Sequence, residues 1–384
     1  MEYGSQVLFL LTIAYILRGI YYTSASFVTT TQEHNIKAGL VGVALVFIAQ
    51  SSLKPYKSPF RRVRDAFWRV WSRIGLLYIG LMVFLLFQRA EDARFLFSYI
   101  DPNLGKELAI RTEIYDRNCE LSYENVMKLT DFYFIAHFLN WFFAALIVRD
   151  SLMLHIWSVL DEVIELSLKN IRPNFSECWW DSLFLDIIIA NTLGIIIGMW
   201  LIRLTNTLEY DWFGRKEAKS CKDWKCWTQH RYYQGITLLL VFVSLNFVTG
   251  FTVSNSLWIP PSHWVLIVRL LIWLFQGVLG FREGYDDIVT WGTAERGKVI
   301  ILAQHRWQAW LMLFCETMLS WKFRERAGNN LDAIVPPYVV LPWLLVFVCG
   351  TLYYVYLRFI YKYRLYKDGR LMDVSVALEQ KKQK

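Results

Sequence analysis

The sequence predicts an all-α fold, a polytopic transmembrane helix bundle of about ten spans. Three observations carry that expectation. Of 384 residues, 55% are hydrophobic and only 19% charged, with a mean hydropathy of +0.30, where an ordinary soluble domain carries about 25% charge. Apolar runs long enough to cross a bilayer recur along the whole chain. Finally, 17% of the residues are aromatic, including 18 Trp and 21 Tyr, side chains that favour the membrane–water interface.

The elements follow in order. Residues 6–24 read as a first span, retained because no small-residue cleavage site follows it. Residues 36–52 form the second. The loop behind it, with Lys54, Lys57, Arg61, Arg62, Arg64 and Arg69, is the most basic short loop in the chain and is expected on the cytoplasmic side. A third span covers 70–88. The insert 89–130 holds the turn signal Asp101-Pro102-Asn103 and Cys119, and inserts of that length usually carry structure or function of their own.

Residues 131–148 span next and contain His137. The run 151–169 is apolar but interrupted by His155, Asp161, Glu162 and Glu165, so it reads either as a span lining a polar cavity or as an interfacial helix with its acids in water. Pro173 ends it. A span at 181–203 carries Asp181, Asp186 and Asn191 five apart, which fans them around an α-helix. The basic loop 204–233 is again cytoplasmic by charge. Spans at 235–253, 263–281, 299–321 and 338–360 complete one membrane domain, residues 1–361, followed by a polar tail at 362–384. With this count the basic loops and both termini share one side, and the turn around Asn174–Asp181 lies on the other. Lys322, Arg324 and Arg326 run against the scheme.

The net charge of +8 suits basic cytoplasmic loops and gives no support to nucleic-acid binding, because no basic arm or readout motif accompanies it. Six Cys in a chain of this length do not form a disulfide framework. Cys119 and Cys178 fall on the same side in this topology, and the sequence leaves their pairing open. Cys221, Cys226 and His230 supply only three ligands at irregular spacing, so they read as loop residues and not as a zinc site. The phosphate-binding G-x-x-x-x-G-K-[ST] loop and the G-x-S-x-G nucleophile elbow are absent from the sequence.

The chemistry concentrates between residues 137 and 191. Glu162, Glu165, Asn174, Glu177, Asp181 and Asp186 lie within one helix–turn–helix, with only Lys169 and Arg172 close in sequence. Glu162 and Glu165 are neighbours at i, i+3, and Glu177 and Asp181 share a face if their segment is helical. Each ionised carboxylate in hydrocarbon costs roughly 2.5–3.5 kcal/mol, so a group of them calls for positive charge. A hard divalent cation, which takes many oxygen ligands, meets that need. His137, mid-span, is a general base if it lies near this cluster and a helix-bridging histidine if it does not. On residues alone, an ion path through a transporter or channel and a lipid-active enzyme remain equally open.

The nonapeptide Pro173-Asn174-Phe175-Ser176-Glu177-Cys178-Trp179-Trp180-Asp181 resembles the signature of the eukaryotic base-exchange phosphatidylserine synthases. Asp101-Pro102-Asn103-Leu104, Asn118-Cys119, His137-Phe138-x-x-Trp141, Glu162-x-x-Glu165 and Asp186 with Asn191 match further family blocks. Weaker matches run through Leu245-Asn246, Arg282-x-x-Tyr285, Trp310 and Glu316 to Lys322-Phe323, covering roughly 36–325.

The resemblance implies a calcium-dependent enzyme of the endoplasmic-reticulum membrane that exchanges the head group of phosphatidylethanolamine or phosphatidylcholine for L-serine. It further implies His137 as the catalytic histidine, Ca²⁺ on Glu162, Glu165, Glu177 and Asp181, and substrate contacts from Asn174, Asp186 and Asn191. A homodimer is also implied. Asp161 adds an acid to the family pattern, and Arg64 replaces a histidine in a region the family associates with product feedback. The terminal Lys381-Lys382-Gln383-Lys384 resembles a cytosolic dilysine retrieval signal, a receptor-read address. A CDP-alcohol phosphatidyltransferase would also gather acids around a metal, but its D-x-x-D-G…G-x-x-x-D-x-x-x-D pattern is absent from the sequence.

Overall fold

The computed structural model describes residues 2–24, 30–51, 65–106, 118–129, 132–169, 177–213, 230–260, 263–289 and 304–323, with isolated helical positions between 341 and 356. Among the described residues there is no strand. The helices are α1 (Glu2–Ser24), α2 (Gln32–Ser51), α3 (Asp65–Leu86), α4 (Ala90–Phe97), α5 (Tyr123–Leu129), α6 (Phe132–Val148) and α7 (Ser151–Leu168). A π-helix (Asp181–Asn191) runs straight into α8 (Thr192–Leu204). Then come α9 (His230–Ser256), α10 (Trp264–Ile272), a short π-turn (Trp273–Gly277), α11 (Val278–Val289) and α12 (Gln304–Lys322).

Among the described residues six stretches are long and apolar enough to cross a membrane: Val7–Ser24, Gln32–Ser51, Arg69–Leu86, Asp181–Leu204, Gly235–Ser256 and Trp264–Asp286; Tyr133–Val148 is a shorter apolar helix. The chain is therefore a helical membrane protein. Large apolar side chains such as Leu10, Leu40, Leu77, Ile196 and Trp200 face outward, as expected where lipid surrounds the bundle. The polar groups turn inward, where they must find partners within the protein.

Contacts at the helix ends show how the chain alternates. The Lys322 ammonium, at the end of α12, donates to Thr23 Oγ1 and to the carbonyls of Leu86 and Gln88, each at 2.6 Å. It thereby caps the C-terminus of α3 beside the end of α1, where a cation also suits the helix dipole. Lys322 is thus an internal cap, and this is why it sits against the loop-charge pattern. At the same end the buried Arg94 guanidinium donates to the Ser256 carbonyl at 3.0 and 2.9 Å and lies 4.0 Å over the Trp258 ring. Asp101 is held below the usual carboxylate range by the Asn103 backbone N–H and by His263, whose Nε2 is 3.3 Å away. These contacts tie α4 and the loop that follows it to the α9–α10 turn.

The other end is fastened by aromatic residues. Trp212 Nε1 donates to the Val148 carbonyl at 2.9 Å, the Tyr285 hydroxyl donates to the Trp212 carbonyl, and Arg282 lies 4.3 Å over Tyr210 and 4.5 Å over Trp212. Here α6 turns into α7 through only Arg149 and Asp150. Arg149 takes a left-handed backbone (φ 56°), which costs of order 1–3 kcal/mol for such a residue. Its guanidinium offsets this by donating to the Leu146 carbonyl at 3.0 Å, while the Asp150 carboxylate accepts the Met153 N–H at 3.2 Å as N-cap of α7.

Candidate active site

Helix α7 shows which way its acids face. Asp161 and Glu162 are 8% and 7% exposed, whereas Val159, Val163 and Leu166 on the other side are 47%, 43% and 59% exposed. Polar inward and apolar outward is the pattern of a helix packed in lipid around a polar interior. Asp161 and Glu162 therefore face the protein interior and not water.

The next acids come from the π-helix. Residues 181–191 bond i to i+5, so a residue five positions on returns close to the same side. Asp181, Asp186 and Asn191 are accordingly all buried. The expected fan assumed 3.6 residues per turn and is corrected by this register. The pairing of Glu177 with Asp181 is corrected too. Helix begins only at Trp179, so Glu177 lies on a non-helical approach and its spacing from Asp181 has no helical meaning.

Helix α6 meets this segment at close range. A Cβ on Gly194 would lie 2.4 Å from the Phe138 carbonyl oxygen, and one on Gly198 would lie 2.8 Å from that of Phe142. These two glycines of α8, four apart, let the helix backbones touch, as small residues at that spacing do in membranes. Phe138 follows His137 directly, so the contact sets the histidine against the π-helix.

Two groups result. His137, Glu162 and Asp186 bring one ligand atom each within 4.8 Å of one another, as do Glu162, Glu165 and Glu177. Glu162 belongs to both. Its Oε1 is 3.8 Å from His137 Nδ1. Asn191 donates from Nδ2 to Ser158 Oγ at 2.9 Å, and Ser182 Oγ donates to Glu177 Oε2 at 3.2 Å. Asp181 is buried at the start of the π-helix and lies outside both groups. Asn174, Arg62, Arg64, Cys221, Cys226 and the tail 362–384 lie outside the described residues, as does the side chain of His230.

The second group suits a hard cation. It is all oxygen, and the buried Oε1 of its member Glu162 accepts no hydrogen bond; Asp161 Oδ1 and Asn191 Oδ1, outside the trio, accept none either. Leaving such atoms without a partner costs about 1–3 kcal/mol each, more when charged. Cations of the calcium type take six to eight oxygens of this kind. The first group, with one histidine between two carboxylates, can take up and return a proton.

Sequence reading missed two parts of the site and left a third open. Ser158, which receives Asn191, carries no motif. The Gly194/Gly198 pair had a legible signal in its spacing. The cysteines do pair: Cys119 and Cys178 form a disulfide, with Cα atoms 5.3 Å apart.

A helical membrane protein with a histidine–carboxylate cluster beside an all-oxygen trio of carboxylates is the class that fold and site define. The family described as phosphatidyl serine synthase matches residues 64–324, and the chain belongs to that family. It is 31% identical over 309 residues to phosphatidylserine synthase 2 of Mus musculus, covering 72% of this chain and 64% of that one. It is 30% identical over 277 residues to CDP-diacylglycerol–serine O-phosphatidyltransferase 1 of Arabidopsis thaliana, covering 65% and 64%. With the phosphatidylserine synthase of Drosophila melanogaster it shares 28% over 356 residues, 87% and 69% of the two chains. The chain spans less than two thirds of the length of the mouse and Arabidopsis relatives.

Proposed function

We propose that this protein makes phosphatidylserine by calcium-dependent base exchange, replacing the ethanolamine or choline of an existing phospholipid with L-serine. The observation that carries this reading is the convergence of His137, Glu162 and Asp186 beside the Glu162–Glu165–Glu177 trio. In this reading proton transfer and cation binding would take place side by side, in a family whose members are named for phosphatidylserine synthesis.

A phosphodiester resists attack because its negative charge repels the nucleophile. Ca²⁺, when bound by Glu162, Glu165 and Glu177, supplies positive charge that offsets this repulsion. The remaining work falls to the protein's own groups. Glu162 faces Nδ1 of His137 and so orients the ring, which puts Nε2 on its far side. From there His137 accepts the serine hydroxyl proton and then gives it to the departing ethanolamine or choline alkoxide. Asp186 and Asn191 orient substrate. The unpaired Asn191 Oδ1 offers an acceptor to a substrate N–H or O–H.

Calcium and lumen go together in this reading. Weak oxygen sites bind at roughly 10⁻⁴–10⁻³ M, which suits a calcium-rich compartment such as the endoplasmic-reticulum lumen. The Cys119–Cys178 disulfide flanks the site, and disulfides persist in oxidising compartments. In this topology α6, α7 and α12 cross along with the six long spans and the tenth span that the sequence leads one to expect at 338–360. The site then faces the lumen and the tail the cytosol.

The Arabidopsis relative's name favours a second reading, in which CDP-diacylglycerol is the donor. One experiment separates the two. Purified protein in micelles is given labelled serine with phosphatidylethanolamine, phosphatidylcholine or CDP-diacylglycerol, each with and without Ca²⁺. Calcium-dependent product from either of the first two lipids, without the nucleotide, supports base exchange and names the donor. Product from CDP-diacylglycerol alone would overturn it.

A further inference from the structure

Glu177 is the one carboxylate of the oxygen trio whose backbone lies outside a helix, although its Oε2 accepts from Ser182 Oγ of the π-helix at 3.2 Å. Glu162 and Glu165 are fixed by α7, but residues 177 and 178 have no regular structure. What holds Glu177 is its surroundings. The next residue, Cys178, is fully buried and bonded to Cys119. Two residues further on, Trp180 is 1% exposed, and its indole Nε1 donates to the Cys119 carbonyl at 3.2 Å. The segment carrying Cys119 is itself pinned, since Asn125 Nδ2 donates to the Glu120 carbonyl at 2.8 Å and the Asn118 side chain accepts the Glu120 N–H at 3.2 Å.

Cys178, Trp180 and Leu185 form an apolar cluster apart from the main core, and Val126 and Phe134 pack against it. Phe134 precedes His137 by three residues, one turn along α6. Residues 118–126 thus form a strap fastened at two points on either side of residue 179, with Val126 on the same apolar cluster that Phe134 of the histidine's helix packs against.

We propose that Cys119 and Trp180 are positioning residues for the Glu177 carboxylate. The strap sets how tightly the trio holds its cation, and opening the disulfide weakens that site without touching a carboxylate. Supports of this kind, when lost, typically lower metal affinity 10–100-fold. This inference rests on the calcium reading above.

The test uses the full chain in micelles and two readouts: the rise in unfolding temperature with added Ca²⁺, and exchange activity against Ca²⁺ concentration. The variants are Cys119→Ser/Cys178→Ser together, which leaves neither member of the pair as a lone thiol, and Trp180→Phe, which keeps most of the packing but removes the indole N–H. The double variant is expected to need about tenfold more Ca²⁺ for half-maximal stabilisation and half-maximal activity. Trp180→Phe should shift the same midpoints by a smaller factor, and both should regain most of their rate at saturating Ca²⁺. Unchanged midpoints in Trp180→Phe and in the folded double variant would overturn the proposal, as would a lost maximal rate with an unmoved midpoint. If the double variant does not fold, Trp180→Phe alone decides. A wild-type protein that neither gains stability from Ca²⁺ nor needs it for activity would overturn the calcium reading itself.

Discussion

His137 Nδ1 and Glu162 Oε1 face each other at 3.8 Å across α6 and α7, with the carboxylate almost fully buried and the imidazole partly open. The pair joins the two chemical halves of the site, because Glu162 also belongs to the oxygen trio. A change at either residue is therefore expected to be felt differently. His137→Ala removes only the proton carrier, so the maximal rate should fall by roughly 10²–10⁴-fold while Ca²⁺ still raises the unfolding temperature. Glu162→Gln should impair both. Serine incorporation and calcium-dependent melting on the same preparations make the comparison, and substantial activity in folded His137→Ala protein would sink the base assignment.

The oxygen trio gives a second expectation. Glu165→Gln and Glu177→Gln each remove one negative oxygen donor while leaving the shape. Both should raise the Ca²⁺ needed for half-maximal stabilisation, and chelation should stop the wild-type reaction reversibly. Asp181→Asn is the informative contrast. Asp181 is buried but belongs to neither group, so its midpoint should move less. An Asp181→Asn shift as large as that of Glu177→Gln would place Asp181 in the cation site after all.

Close contact between α6 and α8 yields a third. A methyl on Gly194 would meet the backbone carbonyl of Phe138, which cannot swing aside as a side chain can. Gly194→Ala should cost about 1–3 kcal/mol of stability, as overpacking generally does. It should also push His137 off its partners, and a displacement near 1 Å can cost on the order of 10²-fold in rate. Gly198→Ala meets Phe142 one turn further from the histidine, so it should cost similar stability and much less activity. Equal losses of activity in both would break the link between this contact and His137.

The helices and the membranous character were legible because apolar periodicity and length report burial in lipid directly. His137 with the acids of 162–186 was legible as a concentration of costly groups in apolar sequence. Their arrangement was not. Spacing converts to geometry only once the helix type is known, and Asp181, Asp186 and Asn191 came to one side through a π register that the sequence does not announce. Glu177 drew a helical reading from its neighbour at i+4, whereas it lies outside any helix, beside Cys178, whose disulfide partner is 59 positions away. Long-range partners of this kind leave no local pattern. The same holds for Glu316, a weak family match in the sequence that proves to be the most heavily bonded carboxylate described.

Glu316 supplies the last expectation. It is fully buried, and its Oε1 accepts from Tyr78 Oη at 2.6 Å, Trp273 Nε1 at 2.8 Å and Arg269 Nε at 3.0 Å. Oε2 accepts from Arg269 Nη2 at 2.7 Å and Thr249 Oγ1 at 3.0 Å. One side chain thus joins α3, α9, α10 with its π-turn, and α12. Glu316→Leu would leave the Arg269 cation buried without its counter-ion, a change that typically costs 3–5 kcal/mol. Removing both charges, in Glu316→Leu with Arg269→Met, takes away the unpaired ion and should recover a good part of that loss. Thermal unfolding of the two variants in detergent measures the difference. A double variant no more stable than the single would show that the shape of the hub, and not its charge pairing, holds these helices together. Exchange activity per folded molecule should change little in the double variant, because no residue of the hub belongs to the histidine–carboxylate centre.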